Sequence, residues 1–404
     1  QRDFLIQDFQ FATGNGTFTG DPNEVLVESN LFSEENRNGV RYSPLFIPNN
    51  PNSYDANLSN IGLYAHSEFT PVAKLKAIVG LRVEKFDQYY TGSNQTQTIV
   101  YNNEKVLGDV DLFPTVNLIR SLKENQNLRF SFSSTIARPS FKEMSFAEIL
   151  DPITGSGLFE ERTQGGTEVL WDGKLQATRI NNFDLRWEQF LSAGQLFSVS
   201  AFYKTFDKPI EMVQFLSDPG AFQPRNVGNG TVAGVELEMR KSLAFVSPSL
   251  EAFFFNFNGT LTSSKIQMSE AELMSRQLTA REGEKVVKTR DMSGQAPYII
   301  NTGLSYNNKL SGLEAGLFYN VQGATLNYIG FGNRTDTYSV PFHAVNLSLN
   351  KTFGASEKIK AGINVQNLLN QSRQEVFRSY NADDQIFSSL NPGTLININF
   401  SYGL

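Results

Sequence analysis

The sequence predicts an all-β protein, a transmembrane antiparallel up-and-down β-barrel with about 14 strands in this chain. Three observations lead to this prediction. Apolar and polar residues alternate with period two over runs long enough for a tilted strand to cross a bilayer. Short and long connections alternate strictly along the chain, and charged residues lie in mid-strand on the parity opposite to the apolar residues.

Composition narrows the class of protein. The chain has 404 residues, a net charge of −6, 19% charged residues and no cysteine. It has no lysine- and arginine-rich run, so nucleic acid is not an expected partner. No stretch approaches about 18 consecutive apolar residues, which excludes a transmembrane helix. The first residues already alternate and carry charge at Arg2 and Asp3. We therefore expect no signal peptide here and a chain that lacks the start of a longer protein.

The carboxyl-terminal residues illustrate the strand pattern. Ile396, Ile398 and Phe400 fall on one parity, whereas Asn397 and Asn399 fall on the other. Successive side chains of a strand point to opposite faces, so this segment has one apolar and one polar face. The same alternation recurs in the segments 77–84, 197–204, 233–240, 345–350 and 359–366.

The connections predict the orientation of the barrel. The short ones are the segments 70–73, 123–125, 192–194, 244–249, 307–311 and 354–357. The long polar ones are 14–57, 91–106, 139–174, 207–225, 268–293, 330–335 and 371–389. Outer-membrane barrels have tight periplasmic turns and extended external loops, so we expect the long segments to be external.

The polar parity supplies candidates for the inner wall. Charges buried in a packed core would each cost several kcal/mol, whereas a water-filled lumen accommodates them. Arg138 precedes Pro139, which lacks a ladder donor and ends the strand; we expect Arg138 to continue the lumen parity of Arg129 and Thr135. The lumen candidates are Arg82, Glu84, Arg138, Glu236, Glu238, Arg240, Asn346, Lys360 and Asn364.

No motif indicates an enzyme, a cofactor site or a metal site. The glycines of 228–234 precede an alternating strand rather than a helix, which argues against a phosphate-binding loop. Glu236 and Glu238 share a strand face with Arg240, an arrangement more typical of a lumen charge ladder than of an acid pair. The acidic segment 139–174 lacks the spacing of a calcium-binding loop.

Four stretches resemble TonB-dependent outer-membrane receptors of the Bacteroidota type, in family order. They are "FSSTIARPSFKEMSFAEILDP" (132–152), "ATRINNFDLRWEQFLSAGQLFSVSAFYKTFDKPIE" (177–211), "NVGNGTVAGVELEMRKSL" (226–243) and "GINVQNLLNQ" (362–371). The resemblance implies an amino-terminal plug and a barrel of about 22 strands. This chain shows no plug and no TonB box, so residues 1–404 resemble the carboxyl-terminal portion of such a barrel.

The resemblance implies a ligand-gated importer of the bacterial outer membrane. Its cargo would be a scarce nutrient: a siderophore, a cobalamin-like chelate, an oligosaccharide or a peptide. The implied partners are outer-membrane lipid, a TonB-type energy-coupling protein that acts through the absent plug, and a surface lipoprotein lid or other outer-membrane subunits. The alternative is a barrel scaffold in a larger outer-membrane complex, with its transport role reduced or lost.

Aromatic residues of the long segments are candidates for ligand contact. Their rings suit stacking on sugar or catecholate rings, but they also suit anchoring the loops to one another, and the sequence leaves both roles open. These residues are Tyr42, Phe46, Tyr54, Phe159, Trp171, Phe215 and Phe222.

Overall fold

The computed structural model describes most of the chain. The described residues are 2–5, 9–12, 27–31, 33–37, 41–44, 53–94, 97–144, 149–150, 157–158, 175–192, 194–214, 221–332, 334–354 and 358–403. We number the strands β1–β25 in chain order.

One large antiparallel sheet dominates the fold. Fourteen strands form a continuous path, each paired with its neighbour, and the short strand β16 (Thr289–Arg290) adds to β15. The path runs through β1 (Arg2–Leu5), β4 (Ser53–Val72), β5 (Leu75–Ser93), β6 (Val100–Lys123), β7 (Gln126–Ala137), β10 (Thr178–Phe190), β11 (Leu196–Asp207), β14 (Gly230–Ser242), β15 (Phe253–Gln267), β17 (Tyr298–Asn308), β18 (Leu313–Gln322), β21 (Phe342–Phe353), β22 (Ile359–Gln366) and β25 (Leu395–Tyr402). This arrangement confirms the predicted all-β class and the expected number of strands.

Three smaller sheets extend from one end of the large sheet. The first contains β8 (Ile149–Leu150), β9 (Gly157–Leu158), β12 (Ile210–Gln214) and β13 (Ala221–Asn226). The second contains β19 (Thr325–Tyr328), β20 (Asp336–Ser339), β23 (Arg373–Arg378) and β24 (Gln385–Leu390). The third pairs β2 (Phe9–Ala12) with β3 (Arg41–Pro44).

The helices are short. They are α1 (Phe141–Met144), α2 (Glu270–Leu278) and 3-10 turns at Glu28–Asn30, Leu243–Phe245 and Pro248–Leu250. Helix α2 begins where the Ser269 hydroxyl accepts a hydrogen bond from the backbone N–H of Glu272, 3.1 Å away, and so caps an otherwise unpaired donor. None of the helices in the described part of the chain has the length and apolarity needed to cross a bilayer.

Tight and extended connections alternate along the large sheet. Strands β4 and β5 are joined by residues 73–74, and β6 and β7 by 124–125, at one end of the sheet. At the other end, β7 and β10 are separated by residues 138–177. The predicted long segment 91–106 differs in extent, because β5 and β6 continue to Ser93 and from Val100 and leave only residues 94–99 between them.

The two faces of the sheet differ in polarity from strand to strand. On one face, Leu317 lies opposite Leu304 and Leu347, and the row continues through Val365 to Ile396. Leu317 is 51% exposed, so this apolar row faces outwards rather than into a core. We call this surface the apolar band and the opposite surface the polar face.

The described chain has little apolar core. Two small clusters of buried residues lie towards the strand ends with long connections, one around Tyr90 and Tyr101 and one around Ile266 and Met292. The mid-strand leucines and valines are instead exposed. Among the described strands no pairing joins β25 to β1 or β4, so the sheet is open along those two edges.

Candidate functional site

Three of the predicted lumen residues meet in one ion-pair network on the polar face. Arg138 Nη1 lies 2.9 Å from Glu84 Oε2, and Arg82 Nε lies 2.7 Å from Glu84 Oε1. Arg138 Nη2 lies 2.9 Å from Asp111 Oδ2. The second carboxylate oxygen of Asp111, Oδ1, accepts a hydrogen bond from Arg179 Nη2 at 3.0 Å. The network ties β5, β6 and β10 to the residue that follows β7.

Arg138 reaches this network for a reason that differs from the predicted one. The lumen parity of β7 is odd, as Arg129 shows, and Phe132 on the even parity opposes Val116 of the apolar band. Arg138 has an even residue number, so it does not continue the odd-numbered series of Arg129 and Thr135, and the predicted reason for its position is wrong. The strand ends at Ala137, so the alternation of a strand no longer determines where Arg138 points. Its guanidinium lies on the polar face, 4.3 Å from the centroid of the Phe86 ring.

A second ion-pair network lies nearer the short turns. Glu188 is buried and lies 2.5 Å from Arg129 Nε and 3.2 Å from Arg186 Nε. Arg186 Nη2 in turn lies 2.8 Å from Glu238 Oε2, which also accepts a hydrogen bond from the Ser198 hydroxyl. Of the predicted Glu236 and Glu238, therefore, Glu238 is held in an ion pair.

The remaining lumen candidates also lie on the polar face. Glu236 is half-buried between Ser200 and Thr260 of the neighbouring strands. The Arg240 guanidinium lies 5.4 Å from the centroid of the Phe254 ring. The other three candidates belong to the carboxyl-terminal strands. The Asn346 side chain accepts a hydrogen bond from the Asn367 backbone N–H. Asn364 lies opposite Ser348 and Asn397, and Lys360 lies opposite Thr352 and Ser401.

Sequence inspection missed a third cluster, which lies among the long connections beyond the fourteen-strand path of the large sheet. Arg290 Nε lies 2.6 Å from Glu272 Oε1 and Arg290 Nη1 lies 2.7 Å from Glu211 Oε2, and all three side chains are buried. Arg276 joins Glu272 to Asp336, with its Nη2 2.8 Å from Asp336 Oδ1. The cluster connects β12, α2, β16 and β20. Its members are distant in sequence and follow no periodic pattern, so no sequence signal singles them out.

Burial raises the pKa values of two side chains in and beside this cluster. Desolvation raises the pKa of Glu211 despite the attraction of Arg290 and a hydrogen bond from the Ser293 backbone N–H. Burial also raises the pKa of Tyr338, a neighbour of Asp336, to about 12. The cluster contains three carboxylates and two guanidiniums, so its side chains carry one excess negative charge when all are ionised. The carboxylates are those of Glu211, Glu272 and Asp336, and the guanidiniums are those of Arg276 and Arg290.

Two of the aromatic loop candidates are packed against other rings. Phe222 is 5% exposed, with its ring centroid 4.4 Å from that of Tyr328 and 6.5 Å from that of Phe387. Tyr54 stacks on Tyr90 with centroids 5.2 Å apart. These contacts fit the anchoring role. Tyr42 lies in β3, where only its backbone is described, and Phe46, Phe159, Trp171 and Phe215 lie outside the described residues.

A cavity of about 610 Å³ lies where the polar face meets the second small sheet. Asn320 and Gln322 line it from the end of β18, and Phe342 from the start of β21. Asn327 and Glu375 line it from the small sheet, joined by a 2.5 Å hydrogen bond in which the amide donates to the carboxylate. The cavity therefore adjoins both the inner wall and the long connections.

A family model described as "TonB dependent receptor-like, beta-barrel" matches residues 2–368. No curated protein matches the sequence at a significant level.

Solved structures share the fold. The unliganded ferric citrate transporter FecA is similar over 86% of this chain and 45% of its own, with 13% identity and a TM-score of 0.58. The copper transporter OprC is similar over 87% of this chain and 48% of its own, with 14% identity and a TM-score of 0.59. The ferric yersiniabactin uptake receptor FyuA from Yersinia pestis is similar over 87% of this chain and 46% of its own, with 14% identity and a TM-score of 0.53. The chain thus spans slightly less than half the length of these structures.

Proposed function

The chain belongs to the TonB-dependent receptor-like β-barrel family, and from this premise we propose that it forms part of the wall of a ligand-gated importer in the bacterial outer membrane. Its cargo would be a scarce nutrient. No enzymatic step is part of the proposal.

The observation that carries the proposal is the difference between the two faces of the sheet. The apolar band crosses neighbouring strands in register, as in the row from Leu304 through Leu317 to Leu347. On the opposite face, ion pairs such as Arg186–Glu238 occur in mid-sheet. A sheet of this kind suits hydrocarbon on one side and water on the other, since a closed barrel satisfies its backbone polar groups internally.

We infer the roles of the connections and partners from this orientation. The long connections would face the exterior and capture the ligand, and the polar face would line its path. Energy coupling would reach the barrel through a TonB-type protein and a plug outside residues 1–404. A lipoprotein lid or another outer-membrane subunit would contact the external segments.

Single-cysteine labelling tests the orientation, because the chain contains no cysteine and each introduced thiol is unique. Arg281→Cys lies in the long connection after α2 and Leu310→Cys in a short turn, and both positions are exposed. A membrane-impermeant maleimide added to intact cells should label the first and not the second. The opposite pattern would contradict the proposed topology.

Transport is tested in cells that produce the protein. Uptake of a cognate nutrient should stop when the proton-motive force is collapsed, whereas surface labelling should persist. Correct labelling with no energy-dependent uptake of any nutrient would instead favour the scaffold alternative.

A further inference from the structure

The polar face changes character between its two halves. Strands β5–β14 carry the arginine–carboxylate networks described above. On β15, β17, β18, β21, β22 and β25, the ionisable side chains of this face are Glu314 and Lys360, both next to short turns. Elsewhere these six described strands present mainly amides, hydroxyls and glycines. The asparagines of this wall are Asn256, Asn258, Asn301, Asn307, Asn320, Asn346, Asn350, Asn364, Asn397 and Asn399.

The amides form rows across the wall. Asn258 opposes Asn301, which opposes Asn320, and the Asn320 amide donates to the Asn301 carbonyl oxygen. An amide both donates and accepts hydrogen bonds without carrying a charge. This wall can therefore pair with groups that both donate and accept, such as hydroxyls, while providing no counter-charge for an ion.

The cavity of about 610 Å³ continues this wall beyond Asn320. Gln322, Asn327 and Gln374 add three amides, and Ser388 adds a hydroxyl. Its volume falls within the range of about 300–1,000 Å³ found for small-molecule sites.

The charges in the cavity are balanced and already engaged. Arg373 lies 5.0 Å from the centroid of the Phe342 ring. Glu375 accepts hydrogen bonds from Asn327 at 2.5 Å and from the Ser388 hydroxyl at 3.0 Å. A carboxylate has about four lone-pair sites, so Glu375 retains capacity for ligand hydroxyls. An anionic chelate would find one guanidinium, opposed by this carboxylate.

We propose that this cavity binds a neutral, hydroxyl-rich solute of the carbohydrate class. The inference rests on the proposed importer function and specifies the cargo of that importer. The amides of the cavity donate hydrogen bonds to the solute hydroxyls and accept hydrogen bonds from them. Glu375 accepts hydrogen bonds from these hydroxyls, and Arg373 donates to them. The asparagines of the wall offer the same hydrogen-bonding groups along the path inwards.

The experiment screens the full protein in detergent against neutral oligosaccharides of glucose, mannose and galactose, with ferric citrate and a mixed peptide library as charged probes. At least one neutral oligosaccharide should bind, with an affinity unchanged between about 0.1 and 1 M salt, since screening acts on charges. Gln322→Leu and Gln374→Leu should each weaken that affinity about tenfold, as expected for a lost hydrogen bond.

The matched control is Gln267→Leu, an exposed position of β15 that does not line the cavity; it should leave the affinity unchanged. Preference for ferric citrate or peptides, equal loss in the control, or no binding of any neutral oligosaccharide would overturn the proposal. Binding of a charged probe would leave the importer function intact, whereas failure of the labelling pattern described above would remove the importer function itself.

Discussion

The ring of Phe202 lies directly over Gly234 on the adjacent strand. A Cβ placed on Gly234 would come within 2.4 Å of Phe202 Cζ and within 2.5 Å of the Leu261 carbonyl oxygen. The two residues are direct partners in the ladder between β11 and β14. Glycine normally weakens a strand because it has no side chain to pack, and the aromatic ring covers the exposed backbone here.

Replacing this glycine should destabilise the barrel. Gly234→Ala would have to displace both a ring and a backbone oxygen, so we expect a loss of about 1–3 kcal/mol in the free energy of unfolding. Urea unfolding in detergent micelles, followed by the band shift of the folded form in electrophoresis, measures it. Gly403→Ala is the matched control, because the nearest atom to its Cβ would be 3.8 Å away. A change at Gly403 as large as that at Gly234 would contradict this explanation.

Arginine substitutions should distinguish the two faces of the sheet. Val235→Arg and Leu347→Arg place a charge in the apolar band and should cost about 2–4 kcal/mol near the bilayer centre. Glu236→Arg and Ser348→Arg lie one residue further on, on the polar face, and should cost less. Folding yield into lipid vesicles, compared within each pair, measures the difference. Equal losses within both pairs would mean that the assignment of faces is wrong.

The periodic part of the fold was predictable from the sequence. Alternation assigns Val235 and Glu236 to opposite faces because the side-chain period of a strand is fixed by its backbone geometry. Alternation does not predict the side-chain contacts between neighbouring strands. The polar parity of Gly234 and Asn346 suggests them as sites for harmless arginines, yet the Phe202 ring fills the space above Gly234, and the Asn346 side chain accepts a backbone hydrogen bond from Asn367.

The candidate site was less predictable where the strands end. Alternation does not account for the position of Arg138, because the strand, and with it the period of two, ends at Ala137. Asp111 lies directly opposite the predicted Glu84, and Glu188 opposes Ser198, which in turn opposes the predicted Glu238. Strand alternation therefore assigns both acidic residues to the polar face. The Glu211–Arg290 pair joins segments about 80 residues apart through tertiary packing, which one sequence does not specify.

Removing the Arg138 charge should destabilise the inner wall. Arg138→Gln would remove the guanidinium that the buried Glu84 and Asp111 share. Glu84 would keep Arg82 and Asp111 would keep Arg179, so the loss should stay below the cost of about 3–5 kcal/mol for a buried charge left without any partner. Arg179→Gln is the control, because this arginine is 56% exposed and exposed pairs contribute about 0–1 kcal/mol. Hydrogen exchange of the β5 and β6 amides should increase in the first variant and change little in the second. Similar exchange in the two variants would show that Arg138 does not hold the network together.

The Glu211–Arg290–Glu272 cluster among the long connections should respond in opposite ways to loss of a cation and loss of an anion. Arg290→Gln leaves Glu211 and Glu272 buried with less compensation and should cost about 3–5 kcal/mol. Glu211→Gln removes the excess negative charge while its amide oxygen can still accept from the Ser293 N–H. It should therefore be neutral or stabilising at pH 7. Protection of the α2 and β19 amides against hydrogen exchange measures both effects.

The raised pKa of Glu211 also gives this cluster a pH dependence of known sign. A carboxyl whose pKa is higher in the folded state than in the unfolded state binds its proton more tightly when folded. Its contribution to stability is complete below the ordinary carboxyl pKa and is lost as the pH rises through the raised value. Exchange protection of α2, corrected for the intrinsic rate, should thus decline across that interval in the wild type and decline less in Glu211→Gln. An identical decline in both proteins would assign the pH dependence to another group.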